Sequence, residues 1–345
     1  MMPVPLRFSY SQLLALSQVP LPVLGVLAAQ ARRACNPDPH VTWVAGVIVN
    51  YTNICMNRCM FCAYHREVEA PDAYVMPVEE VVEKARQLQE RGGTELLFQG
   101  GVHPAAELEY YESGLRAVRV ACPDVTIHGL SPAEVAACAR QARLPLSDTL
   151  DRLHAAGLQS IAGGGAEILV DRVRRTVSPR KIGADAWLHV MRVAADCGLF
   201  CSATMMYGHV ETMEDRVEHL LRLRALQDVT GHIRAFIAWP FLPEGTQLAH
   251  LHRTGADMYL RMVALSRLAL DNVPHLQASY LTQGPRVVQA ALHFGLDDLG
   301  SEFPEERVTS ASHRAYIPAP GELAALAVQA GFTPRRRDTA YRLLD

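Results

Sequence analysis

The sequence predicts an α/β fold closed as a (β/α)8 barrel of the TIM type. Three observations carry that prediction: strand-like and helix-like runs take turns from about residue 41 to residue 301, the strand-like runs number eight, and no long linker interrupts them. No sequence self-similarity underlies the alternation, which argues against an array of repeats.

Residues 1–40 read as an N-terminal helical cap. The apolar segment from Leu13 to Leu27 is preceded by one basic residue, Arg7, is interrupted by Pro20 and Pro22, and is followed by no clear cleavage site. Those features describe a leading helix better than a signal peptide or a membrane span. The barrel covers residues 41–319. Its strand candidates are Val41 to Asn53, Thr94 to Gly101, Val125 to Leu130, Ser160 to Glu167, Phe200 to Gly208, His232 to Pro240, His275 to Gln283 and Asp297 to Ser301. Between them lie amphipathic stretches such as Val78 to Arg91, Ala184 to Cys197 and Met213 to Gln227. The last puts Met213, Val217, Leu220 and Leu221 on one face and Glu214, Glu218 and Arg222 off it. Pro77 holds a first-turn position, and Gly92-Gly93 and Gly198 stand where helix C-caps belong. Residues 320–345 read as a C-terminal helix on the same domain, followed by the basic run Arg335-Arg336-Arg337, expected to be a solvated tail.

A formal net charge of −3 and a charged fraction of 20% leave no basic footprint for nucleic acid, so a small-molecule partner fits better. Of the eight cysteines, Cys55, Cys59 and Cys62 share one short window, while Cys35, Cys122, Cys138, Cys197 and Cys201 are scattered. Such spacing argues against a disulfide scaffold, and the scattered five read as small core residues.

In barrels of this class the chemistry collects at the carboxyl ends of the strands. The array Cys55-Met56-Asn57-Arg58-Cys59-Met60-Phe61-Cys62 begins directly after the first strand, so its thiolates should face that mouth. A four-iron cubane normally takes four cysteines, and three leave one iron an exchangeable site. An open iron can chelate the amino and carboxylate groups of S-adenosylmethionine (SAM), whose one-electron reduction gives methionine and a 5'-deoxyadenosyl radical. The competing readings are an iron–sulfur electron carrier and a zinc-stabilised binding protein. Structural zinc wants four ligands; no second CxxC pair is present, and His65 is the available fourth.

Phe61 can lay its ring near the adenine, and Gln99-Gly100-Gly101 lets the second strand's end approach a methionine amino group. Ser131 ends the third strand. Glu167 follows three glycines, where a carboxylate is expected to take ribose or substrate hydroxyls, with an N-cap or surface acid as the alternative. Gly208, the last residue of the fifth strand, leaves room for an adenine. These are the expected cofactor contacts. Glu167, His209 and Glu211 are the candidate proton-transfer groups, though a lone histidine is more often structural. For the substrate, Arg66 offers a guanidinium fork, Tyr207 and Trp239 can wall a cavity, and Gln283 and Ser301 end the last two strands as hydrogen-bonding groups.

Asn50-Tyr51-Thr52-Asn53-Ile54-Cys55 with Cys59 and Cys62, Gln99-Gly100-Gly101, Gly163-Gly164-Gly165-Ala166-Glu167-Ile168-Leu169, Gly208-His209-Val210-Glu211-Thr212 and Trp239-Pro240-Phe241 together resemble the menaquinone and deazaflavin branch of the radical SAM family. The resemblance spans almost the whole chain. Within that branch, the run from Gln277 to Pro285 and Gly300-Ser301 look most like the cyclising enzymes of the futalosine route to menaquinone. What the resemblance implies is a radical SAM barrel, a [4Fe-4S] cluster on Cys55, Cys59 and Cys62, SAM, and dehypoxanthine futalosine as substrate. It also implies a reducing, cytoplasmic setting with flavodoxin or ferredoxin as electron donor and no membrane. The implied reaction abstracts hydrogen from ribose C4', after which the carbon radical attacks the attached benzoate ring. Loss of one electron and one proton then leaves a spirocycle. An arginine should grip the benzoate carboxylate, and Glu167, His209 or Glu211 should take the ring proton. A sister reaction of the branch, addition of the adenosyl radical to an enolpyruvyl benzoate, is the nearest competitor.

Overall fold

Two helices lead the chain into its sheet in the computed structural model, which describes residues 7–105, 107–302, 307–312 and 315–344. Residues 1–6 of the expected cap lie outside the described residues. Helix α1 (Tyr10–Leu16) starts on a capping box between Ser9 and Gln12, and α2 (Leu21–Cys35) starts on a proline-containing first turn. They pack on the later helices α9 (Met213–Thr230) and α10 (Ala256–Ala269).

Ten strands form one parallel sheet: β1 (His40–Val44), β2 (Gly46–Asn50), β3 (Glu95–Gln99), β4 (Thr126–Gly129), β5 (Ser160–Ile161), β6 (Phe200–Tyr207), β7 (Ile233–Pro240), β8 (His275–Gln277), β9 (Asp298–Ser301) and β10 (Thr333–Arg336). Their order is β10-β1-β9-β8-β7-β6-β5-β4-β3-β2. The first two are one run of chain broken at Ala45. Its first half pairs with β9 and its second half with β3, so the ring closes on a single segment; counted as one strand it makes eight with β3 to β9, and β10 is a ninth strand outside the ring, on β1. Every residue of β2 is buried, the pattern of a strand covered on both faces.

The remaining helices are α3 (Val78–Glu90), α4 (Leu108–Ala121), α5 (Pro132–Ala142), α6 (Leu146–Ala156), α7 (Asp171–Val177), α8 (Ala184–Asp196), α11 (Tyr280–Ala291) and α12 (Glu322–Gln329). They turn apolar stripes to the sheet: α3 buries Val81, Ala85 and Leu88, and α9 buries Val217, Leu220 and Leu223 while Leu221 is only half-buried. The core between sheet and helices includes Phe98, Trp187, Phe236 and Tyr259.

Three expectations need correction. The fourth strand is two residues long, because the glycine run after Ile161 leaves the ladder and Glu167 adopts a left-handed backbone, φ 41°. The seventh ends at Gln277, and Gln283 lies on α11, not at a strand end. The basic run is not a solvated tail. Thr333–Arg336 pairs with β1, and the Arg337 guanidinium is buried against both oxygens of Asp298.

Candidate active site

The chain between β2 and the first cysteine is pinned before the loop begins. Asn53 accepts the Tyr74 N–H at 2.9 Å and donates to the Asp72 carbonyl at 2.8 Å. The loop is then held from three directions, with Cys55 N–H donating to Arg66 O at 3.1 Å, Met56 N–H to Val102 O at 2.8 Å and Met60 N–H to Val177 O at 2.9 Å. Cys55, Cys59 and Cys62 consequently line one cavity at the carboxyl ends of the strands, together with Phe61, Gln99, Gly100, Gly101, Ser131 and Glu167.

The residues present fit an iron–sulfur cluster. Cys59 stands within electrostatic reach of Cys62 and Cys55, and Cys55 Sγ accepts the Val102 N–H at 3.4 Å. Burial raises the Cys55 thiol and pushes Cys59 up to about 12, so their protons leave when a cation takes their place. Among the described residues no three His, Cys, Asp or Glu converge on a single metal ion. Three thiols on one cavity suit a cubane, where each takes a different iron. His65, the fourth ligand zinc would use, also lines the cavity, but its Nδ1 faces the Cys62 carbonyl at 2.8 Å.

Two residues in this cavity were not singled out from sequence. Lys181 Nζ donates to Glu167 Oε1 at 2.9 Å and lies 5.2 Å from the centre of the Phe61 ring. Burial works against its charge, but Cys59 and Glu167 outweigh burial and its pKa is raised, leaving a resident cation beside the cysteines. Glu134 accepts from the Gly100 and Ser131 backbone and from the Tyr51 hydroxyl, which seats the end of β3 against the cysteine loop. A Cβ on Gly101 would meet the Ile54 carbonyl oxygen at 2.2 Å, so this approach needs glycine. Ser131-Pro132-Ala133-Glu134 is a capping box and carried a local signal; Lys181 carries none.

Other predicted residues are placed elsewhere. His209 Nδ1 accepts the Val210 N–H at 2.8 Å and its Nε2 donates to the Met206 carbonyl at 3.1 Å, while burial lowers its pKa despite Glu211. Glu211 accepts from Gly208 N at 2.6 Å, His209 N at 2.9 Å and Arg216 Nε at 2.9 Å. Both side chains are enclosed, and neither lines the cavity, which corrects the expectation of a base there. A Cβ on Gly208 would meet Thr254 Oγ1 at 2.1 Å, and Gly208 does not line the cysteine cavity. Arg66 donates to Asp72 at 2.7 Å and to the carbonyls of Ala63 and His65 at 3.0 Å, so it clasps its own loop instead of a carboxylate ligand. Tyr207 is fully buried beneath the Arg216 guanidinium, and Gln283 donates to the Thr282 carbonyl at 3.3 Å; neither lines a cavity.

A second cavity continues the first into the barrel interior, with Gln99, Gly164 and Trp239 lining both. Ser301 lines this lower chamber. Trp239 Nε1 and Ser301 Oγ are buried with no hydrogen-bond partner among the described residues, the condition of groups that await a ligand.

Residues 49–223, half of the chain, match the Radical SAM superfamily. The chain belongs to the radical SAM superfamily. That family works with a [4Fe-4S] cluster and SAM, the pair for which the cysteine cavity is shaped. Residues 230–345 of this radical SAM enzyme match the CofH/MqnC C-terminal region. It is 38% identical to the cyclic dehypoxanthine futalosine synthase of Halalkalibacterium halodurans, over 93% of this chain and 87% of the relative. It is 38% identical to the aminodeoxyfutalosine synthase of Thermus thermophilus, over 97% and 92%. It is also 38% identical to the 5-amino-6-(D-ribitylamino)uracil–L-tyrosine 4-hydroxyphenyl transferase of Methanopyrus kandleri, over 91% and 87%. In fold it is similar to methylornithine synthase, with a TM-score of 0.73 at 17% identity over 96% of this chain and 95% of that one.

Proposed function

We propose that this radical SAM enzyme is a cyclase of menaquinone biosynthesis that converts dehypoxanthine futalosine to its cyclic form. The observation that carries the reading is the lower chamber opening directly under the cysteine cavity, with buried donors at the junction and on its wall. The likeness to the cyclic dehypoxanthine futalosine synthases of Halalkalibacterium halodurans and Streptomyces coelicolor, at 38% and 37% identity, supports it.

When bound, the cluster and SAM would supply the one-electron chemistry: the radical that takes the ribose C4' hydrogen and, after ring attack, the acceptor for the electron the cyclised radical gives up, while the ring proton would pass to a base of this chain. The chain's own part is to bind, orient and exclude water. Lining the cavity, the carbonyls at Gln99-Gly100-Gly101 would take the methionine amino group, Phe61 would lie by the adenine and Glu167 would take the ribose hydroxyls. Trp239 Nε1 and Ser301 Oγ, buried without partners among the described residues, would donate to the substrate's oxygens below, while Met206 and Phe241 keep the mouth apolar. Of the three candidate proton acceptors only Glu167 lines the cavity, and the role falls to it. A flavodoxin or ferredoxin supplies the electron. Among the described residues no helix is long and apolar enough to cross a membrane.

The 38% identity to the aminodeoxyfutalosine synthase favours the sister reaction by the same measure, so substrate choice is the test. Reconstituted enzyme with SAM and dithionite, without oxygen, is offered dehypoxanthine futalosine or the enolpyruvyl benzoate. Consumption of the first alone, with methionine and 5'-deoxyadenosine formed, is expected. Consumption of the second alone replaces the cyclase by the sister reaction.

A further inference from the structure

The lower chamber holds an arginine that no carboxylate of the described residues neutralises. Across the β6–β7 pair, Cys201 stands opposite Ile233 but Ser202 opposite Ala235, so Arg234 is an extra residue in β7. A bulge re-aims a side chain, and Arg234 lines the chamber with Ala235, Ile237 and Trp239 of the same strand. Its guanidinium carbon lies 3.9 Å from the centre of the Phe200 ring, and its Nε is buried without a hydrogen-bond partner. Arg337, on the same chamber wall, is by contrast satisfied by both oxygens of Asp298.

We propose that Arg234 anchors the carboxylate on the substrate's aryl ring and thereby selects an aryl carboxylate; the assignment rests on the futalosine reading. Arg234 is half-buried with its Nε unmet and no carboxylate of the described residues beside it, and the counter-charge comes with the ligand. An arginine held over a ring keeps its N–H edge available, and that edge matches a planar carboxylate. The depth suits an extended ligand. Arg234 and Trp239 lie five residues apart on β7, roughly 16 Å of strand, so a ligand reacting at the level of Trp239 directs its far end toward Arg234. Glu95, on β3, is the carboxylate lining the same chamber, and no ion pair joins it to Arg234.

The test uses the reconstituted holoenzyme with SAM, measuring equilibrium binding of 3-acetylbenzoate and of its methyl ester, alongside turnover of dehypoxanthine futalosine. The wild-type enzyme is expected to bind the acid about ten- to a hundredfold more tightly than the ester, the range of a charge-assisted pair. Arg234→Met is expected to erase that preference and to raise KM for the futalosine by a similar factor, with a smaller change in kcat, and Arg234→Lys to restore part of it. The acid–ester comparison needs no variant, so it holds even where Arg234→Met fails to fold. Equal binding of acid and ester by the wild-type enzyme, or an undiminished preference in Arg234→Met, overturns the anchor. Recovery of the acid preference on adding Glu95→Gln to Arg234→Met also overturns it, since Arg234 would then only offset Glu95. An intact preference without turnover of the futalosine leaves the anchor standing and removes the cyclase reading instead.

Discussion

The Gly100 N–H donates to Glu134 Oε1 at 3.0 Å, and Oε2 of the same carboxylate takes the Ser131 N–H at 2.6 Å. One buried acid on α5 therefore fixes the ends of two neighbouring strands, β3 and β4, at the rim of the cysteine cavity. Glu134→Ala strands those buried donors, and each unmet group costs about 1–3 kcal/mol. Chemical denaturation is expected to show a loss of about 2–4 kcal/mol, with a raised KM for SAM. Glu134→Gln, which keeps one acceptor oxygen, is expected to lose less.

Glu211 serves the fold. Burial alone would raise its pKa, but His209, Arg216 and the backbone N–H groups of Gly208 and His209 outweigh burial and hold it below the ordinary glutamate value of 4.5. A depressed carboxylate contributes stability that is present above its unfolded pKa and lost as pH falls through the folded one. Glu211→Gln should accordingly be less stable than wild type at pH 7, by about 2–4 kcal/mol for a buried charge network broken on one side. The gap should close as the pH drops below 4.5, which denaturation midpoints across pH 3–7 will read.

Lys181 places a positive charge near Cys59 and pairs with Glu167. Positive charge favours the more negative, reduced form of a cluster. Lys181→Met is expected to shift the cluster's midpoint potential downward by tens of millivolts, on the order of a single screened charge nearby. A redox titration followed by electron paramagnetic resonance reads the shift, and an upward shift or none contradicts this placement.

Cys55, Cys59 and Cys62 each line the cavity, whereas Cys138 is buried in the helical core. Replacing any of the three by Ala should abolish the cluster's visible absorption and its bound iron after reconstitution. Cys138→Ala should retain both and lose only packing stability, about 1 kcal/mol for a small cavity.

Much of the barrel was legible because strands covered on both faces read as apolar runs, as β2 and β7 do. The end of β8 was not, since Ala278, Tyr280 and Leu281 continue the apolar pattern while the chain has already turned at Ser279 into α11. The burial of Arg337 was hidden for a different reason. Its partner, Asp298, lies 39 residues away, and nothing local to three arginines announces a buried ion pair. In the site, the cysteines and Gly100-Gly101 are local patterns and could be read directly. Lys181 meets Glu167 from 14 residues away, and Arg234 is re-aimed by a register break that depends on the neighbouring strand. His209 and Glu211 misled because adjacency suggests chemistry, yet here the pair closes a turn with its own backbone.

On the proposed reading three thiolates hold a cluster over a chamber where a ribose C4' hydrogen is taken. Anaerobic turnover of dehypoxanthine futalosine carrying deuterium at C4' tests it most directly. One deuterium is expected in the 5'-deoxyadenosine formed, with a cyclised product that has lost it. Unlabelled 5'-deoxyadenosine with the label kept in the nucleoside would contradict it.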